Sequence, residues 1–271
     1  MMIEEVLERL RQRRPLVHVI TNYVTIRDCA NILLACGASP VMADAPQEAA
    51  AVTARCDGLV VNLGMLNEQK REAIRLSCAA AAAQGKPVVL DPVGAGSSEY
   101  RLGLALELLE RGWISAVRGN AAELHALEDG DASSRGVDAE GTDGGLDAAE
   151  RLQAFCRRYG VVAVQTGAVD LAASGKTVYR IYNGHPMMRR ITGSGCMLSA
   201  VTGACCAAWP DQLLEACAGA ACLMGVAGER AFARTEREQG GTGSFGVFLT
   251  DAVSRMEQDG WKGEMRFEIQ C

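Results

Sequence analysis

Along most of the chain, short runs of β-branched and aliphatic residues alternate with longer stretches in which apolar positions recur every three or four residues. The run PLVHVI at 15–20 predicts a strand, and IRDCANILLACG at 26–37 predicts a helix that Gly37 stops. Further strands are expected in SPVM at 39–42, GLVVNLG at 58–64, KPVVLD at 86–91, WISAVRGN at 113–120 and VVAVQTG at 161–167. Between them, helices are expected over 67–85, near 99–111, through AAELHALE at 121–128 and near 146–159. Strands that are apolar at nearly every position are covered on both faces, which implies a mostly parallel central sheet with helices on either side. KTVYRIYNG at 176–184 predicts an antiparallel edge hairpin with the preceding VDLAAS run, and the chain from Cys196 to about 258 reads as almost wholly helical. The Gly-, Asp- and Ser-rich stretch 129–145 predicts an exposed loop, not a linker, because the strand-helix alternation resumes beyond it. One α/β domain spanning 1–271 is the expected organisation.

Composition narrows the partners. With 49% hydrophobic and 22% charged residues the chain has the makings of a compact core. Its formal charge of -6, without a long basic cluster, makes a nucleic-acid backbone a poor partner. The opening MMIEEVLERLRQRR predicts an amphipathic helix and lacks the unbroken apolar stretch of a signal peptide. LLEACAGAACLMGVAG is too short to span a bilayer and predicts a buried core helix, so no membrane is expected as a partner. The odd number of cysteines, 11, with no CxxC metal spacing, fits a reducing cytoplasm. Cys29, Cys36, Cys78, Cys205, Cys206, Cys217 and Cys222 sit in periodic apolar segments and read as core.

Ligands of open α/β sheets bind beyond the carboxyl ends of the strands, and polar motifs gather there. They are Thr21 and Asn22 after the first strand, DPVGAG from Asp91, RGN from Arg118 to Asn120 with Glu123 just beyond, QTG around Thr166, and TGSGC at 192–196. Glycines 193 and 195 let the backbone approach a ligand, and the N–H groups of the helix that follows can receive an anion such as a phosphoryl group in transfer. Cys196, placed at that helix start, is expected to form its thiolate more easily than a free cysteine and to accept a proton from a hydroxyl. The bland alternative is a plain turn with a packed thiol. Absence of GxxxxGK[ST] excludes a Walker-type nucleotide site. Asp91 suits a magnesium ion held through water; Glu123 can share that ion or serve as capping partner of Asn120. Arg118 can clamp ATP phosphates or lie at the surface. His18 reads as a satisfied core residue, and Met42 by its pattern reads as core too.

Taken together, VHVITNYVTIRDCANILLACGASPVMADAPQEA, LDPVGAG, RGNAAEL, RGVDA and NGHPMMRRITGSGCMLSAVTGA resemble the hydroxyethylthiazole kinase family of the ribokinase superfamily, over about residues 14–258. The resemblance implies a ribokinase-like fold and ATP-dependent, Mg²⁺-assisted phosphorylation of the primary hydroxyl of 4-methyl-5-(2-hydroxyethyl)thiazole in thiamine salvage. It further implies that Cys196 is the catalytic base or orients the hydroxyl, that Gly193 lines the thiazole and the moving phosphoryl, and that Met42 touches the thiazole ring. Arg118, Thr166 and Asn120 would bind ATP, and Asp91 and Glu123 would organise magnesium. A homotrimer with active sites between subunits is implied as well, with Asn22 and Met42 at the shared site. Ala168 stands where the family commonly carries an acid. The alternatives are a ribokinase-like kinase for another small alcohol, such as a hydroxymethylpyrimidine, or a non-catalytic sensor of the thiazole or a nucleotide.

Overall fold

A computed structural model describes residues 2–132, 146–256 and 260–270. All nine strands among them lie in one sheet of order β2-β1-β3-β4-β5-β6-β7-β8-β9, with β1 Leu16–Ile20, β2 Ser39–Val41, β3 Gly58–Asn62, β4 Val88–Asp91, β5 Ala116–Asn120, β6 Val162–Thr166, β7 Asp170–Ala173, β8 Val178–Ile181 and β9 Phe267–Gln270. Strands β1 to β6 pair in parallel, and β6 to β9 pair antiparallel.

Both faces of this sheet are covered, as the continuous apolar runs require. Period-two alternation sends Val17, Val19, Val60 and Val89 to one core and Ile20, Leu59, Val61, Val88 and Leu90 to the other. The first core is closed by α1 (Val6–Arg13), α2 (Ile26–Cys36), α8 (Ser194–Ala208), α9 (Leu213–Arg237) and α10 (Thr242–Arg255). Across the sheet lie α3 (Pro46–Thr53), α4 (Glu68–Ala82), α5 (Glu99–Glu110), α6 (Ala121–Asp129) and α7 (Leu146–Tyr159). The expected termination of α2 is observed: Gly37 takes φ 99°, a left-handed cap that a side chain would strain. The seven cysteines assigned to the core are all buried, and α9 is the buried helix expected from its apolar run. No helix among the described residues is long and apolar enough to cross a membrane.

Three features depart from the sequence reading. The β7–β8 hairpin is not an edge, because β9 pairs with β8 and covers it. After the helical stretch expected from Cys196 to about 258, which the structure divides into α8, α9 and α10, the chain returns to the sheet as β9, a strand not foreseen. Helix α3, begun by Pro46 in its first turn, is too short and too weakly amphipathic to have been anticipated. Most of the 129–145 stretch expected to be a loop lies outside the described residues.

Helix α8 matters most to the site. It lies on β3 at a distance only glycine permits, since a Cβ on Gly203 would sit 2.1 Å from Val60 Cγ2 and one on Gly58 would sit 2.9 Å from Ala207 Cβ. This close approach aims the N-terminus of α8 at the carboxyl ends of β3 and β4. Gly203→Val is expected to lower unfolding stability by about 3 kcal/mol through overpacking, read from the urea midpoint.

Candidate active site

The site is built where β1, β3, β4, β5 and β6 end. Asp91 closes β4 with no exposed surface, and its Oδ2 accepts hydrogen bonds from Asn62 Nδ2 at 2.9 Å and Ser199 Oγ at 2.7 Å. Its Oδ1 is buried without a hydrogen-bond partner. Burial pushes the Asp91 carboxyl above the usual carboxylate range, opposed by the positive charge of Arg118, whose Nη1 lies 4.0 Å from Oδ2.

Arg118 links this carboxylate to the neighbouring strand and to the glycine loop. Its Nη2 donates to Thr166 Oγ1 at 3.0 Å, and a Cβ on Gly195 would lie 2.7 Å from Nη1. The loop glycine therefore lets a guanidinium tuck beneath the backbone. Gly193 has φ 90°, and a Cβ there would meet Thr25 Cγ2 at 2.8 Å, so both conformation and space demand glycine. As N-cap of α8, Gly193 offers no side-chain cap, and the helical ladder begins with Met197 N–H donating to Gly193 O at 2.8 Å. The N–H groups of Ser194, Gly195 and Cys196 thus form the uncapped first turn, positioned for an anion.

Cys196 is half-buried, and its Sγ accepts from Asn22 Nδ2 and Asn62 Nδ2, each at 3.4 Å. One expectation is corrected here. The helix start was expected to favour the thiolate, yet burial and then the nearby Asp91 charge raise the thiol above its ordinary value, outweighing the Thr25 hydroxyl, the Asn22 amide and Arg118. Desolvation and a like charge decide the direction of the shift.

Asn22, Asp91, Arg118, Thr166, Gly193 and Cys196 are thus drawn into one region. Glu123 and Asn120 close a reciprocal capping box at the start of α6: Asn120 N–H donates to Glu123 Oε2 and Glu123 N–H donates to Asn120 Oδ1, both at 2.9 Å. Gly94 N–H also donates to Glu123 Oε1 at 3.2 Å. Burial and the Asp91 charge raise the Glu123 carboxyl, which ties it electrostatically to the same centre. Met42 is half-buried and packs against the core on the α8 face. His18 is the satisfied core residue expected, with Nδ1 paired to Thr53 Oγ1 at 2.8 Å and Nε2 to Ala43 O at 2.7 Å.

Asn62, Ser199 and Asp170 escaped the sequence reading. Asn62 ends β3, and the rule that flagged the other strand ends applies to it equally; Ser199 lies one helical turn after Gly195. Asp170 accepts Gly167 N–H at 2.9 Å in the turn after β6, and burial pushes its carboxyl up to about 6, against the charges of Arg118 and Arg189.

A sequence model of the hydroxyethylthiazole kinase family matches residues 7–259. The chain belongs to the hydroxyethylthiazole kinase family. A hydroxyethylthiazole kinase of Clostridium acetobutylicum is 41% identical over 272 aligned residues, covering 98% of this chain and 99% of that one. The solved structure of a hydroxyethylthiazole kinase protein from Pyrococcus horikoshii OT3 superposes with TM-score 0.89 and 36% identity over 99% of both chains. A ribokinase-like superfamily protein from Enterococcus faecalis V583, 14% identical, matches 94% of each chain at TM-score 0.62 and shows the fold alone to be ribokinase-like. Membership of this kinase family makes ATP the phosphoryl donor.

The raised thiol has a direct consequence. At pH 7.5, iodoacetamide is expected to alkylate Cys196 several-fold more slowly than free cysteine, as followed by mass spectrometry of the Cys196 peptide. Gly195→Ala, by displacing the Arg118 guanidinium, is expected to raise the KM for ATP by about tenfold in steady-state assays, roughly the loss of one charge-assisted contact.

Proposed function

We propose that the protein transfers the γ-phosphoryl group of ATP to the primary hydroxyl of 4-methyl-5-(2-hydroxyethyl)thiazole, salvaging the thiazole half of thiamine. The observation that carries this reading is the uncapped, glycine-opened first turn of α8 placed directly over Arg118 and beside Asp91. Phosphoryl transfer needs positioning and charge stabilisation more than covalent chemistry, and this arrangement supplies both.

In the proposed reaction the N–H groups of Ser194, Gly195 and Cys196 receive the equatorial oxygens of the moving phosphoryl group. Arg118, steadied by Thr166, neutralises charge on the phosphates, with Asn120 beside them at the nucleotide. Cys196 orients the attacking hydroxyl. Its raised thiol makes it a weak initial base, which suits a loose transition state in which the hydroxyl proton leaves late. Gly193, Asn22 and Met42 line the thiazole side.

Magnesium fits the residues present, because the unpartnered buried Oδ1 of Asp91 is an oxygen donor awaiting a hard cation or its water shell. Asp91 and Glu123 would hold the ion, which would supply charge neutralisation across the phosphates.

We extend the reading to a homotrimer with active sites between subunits. Tyr23 and Val24, 52% and 63% exposed right after Asn22, support it as apolar surface suited to a neighbouring subunit. A reducing cytoplasm is the proposed setting, supported by ten described cysteines that are all free thiols.

Incubation with the thiazole alcohol, ATP and Mg²⁺ is expected to yield the phosphate ester by phosphorus NMR; no product from folded protein overturns the reading. Cys196→Ala is expected to lower kcat by about 10²-fold or less, and Asp91→Ala by more than that. Steady-state kinetics giving the reverse ranking would refute the minor role assigned to thiol basicity.

A further inference from the structure

Asn62 closes β3 directly opposite Asp91 in the parallel register and is 1% exposed. Its carboxamide has a single admissible orientation. Oδ1 accepts Gly64 N–H at 2.9 Å and Asn22 Nδ2 at 3.4 Å, and since a backbone N–H can only donate, the oxygen must face Gly64. The NH₂ end is thereby committed to two atoms of the site, Asp91 Oδ2 at 2.9 Å and Cys196 Sγ at 3.4 Å. A flipped amide would set its oxygen against a carboxylate and its N–H groups against another donor.

This orientation controls both partners. Asn62 and Ser199 together occupy Asp91 Oδ2, which leaves Oδ1 as the carboxylate oxygen without a hydrogen-bond partner. On the other side, the sulfur accepts from Asn62 and from Asn22, whose own amide is tied back to Asn62. Gly64 completes the clamp, since a Cβ there would lie 2.9 Å from Asn62 Oδ1 and 3.1 Å from Asn22 Cβ.

We propose that Asn62 is a positioning residue for phosphoryl transfer, its one carboxamide spanning Asp91 and Cys196 so that carboxylate and thiol keep a single fixed separation. This assignment rests on the reading of the site given above. Asn62 contacts neither nucleotide nor alcohol in this scheme and acts through the two groups it joins.

Asn62→Asp is the informative variant: it keeps an acceptor for Gly64 and Asn22 but loses both donors and adds a carboxylate beside Asp91 and Cys196. In it, kcat is expected to fall by about 10- to 10²-fold while the KM for the alcohol moves by less than about threefold, the pattern of lost positioning. Alkylation of Cys196 by iodoacetamide at pH 8, followed in the ligand-free protein by mass spectrometry, is expected to slow by about tenfold. Ser199→Ala removes a hydroxyl that bonds Asp91 Oδ2 and Gly195 O but not the thiol, and is expected to keep the alkylation rate within about twofold of the parent. Parental alkylation in folded Asn62→Asp, or equal slowing in Ser199→Ala, overturns the assignment. Absence of turnover in the parent protein would defeat the kinase reading, while alkylation would still decide whether Asn62 couples to the thiol. If Asn62→Asp does not fold, Gly64→Ala carries the test, because its methyl group pushes on the same amide: slowed alkylation supports the clamp and a parental rate overturns it.

Discussion

The site depends on a buried carboxylate that its surroundings do not fully compensate. Asp91 has no exposed surface, two neutral donors on one oxygen, none on the other, and an arginine whose nearest nitrogen stands 4.0 Å away. A charge in such a place is costly unless something completes its shell. The other features arrange that completion: β3 supplies Asn62, α8 supplies Ser199, β5 supplies Arg118, and the remaining oxygen is left for a cation or its water. The same incomplete compensation reaches outward, since the Asp91 charge helps raise both Cys196 and Glu123. Protonation states across the site are therefore set together, and no single titrating group can be treated alone.

Close packing converts this local chemistry into a property of the fold. Gly203 and Gly58 let α8 settle onto the sheet, and that contact fixes where the uncapped turn at Ser194 to Cys196 projects. Gly195 then admits Arg118 beneath the turn. Glycines far apart in function thus act in one direction, bringing backbone N–H groups, a guanidinium and a carboxylate within reach of one transferred group.

The parallel core was legible because its strands are apolar at nearly every position and its helices end at glycines such as Gly37, signals that depend only on neighbours in sequence. The strand-end rule and the family resemblance together placed Asn22, Asp91, Arg118, Thr166, Gly193 and Cys196 in one region. The ionisation of Cys196 was misjudged because a helix dipole is visible in sequence, whereas burial and a carboxylate contributed by a distant strand are not. Asn62 ends a strand as Asp91 does, so the same rule marks its place, but its role shows only when Gly64, Asp91 and Cys196 are seen to fix its amide. Helix α3 and strand β9 are short, and their existence is decided by what they pack against, not by their own periodicity.

Strand β9 also bears on how the sheet is protected. Formed by Phe267–Gln270, it shields β8, and Asn183 clasps the incoming segment by accepting Arg266 N–H at 2.7 Å. Without β9, β8 would present a bare row of main-chain donors and acceptors, a surface open to pairing with another chain.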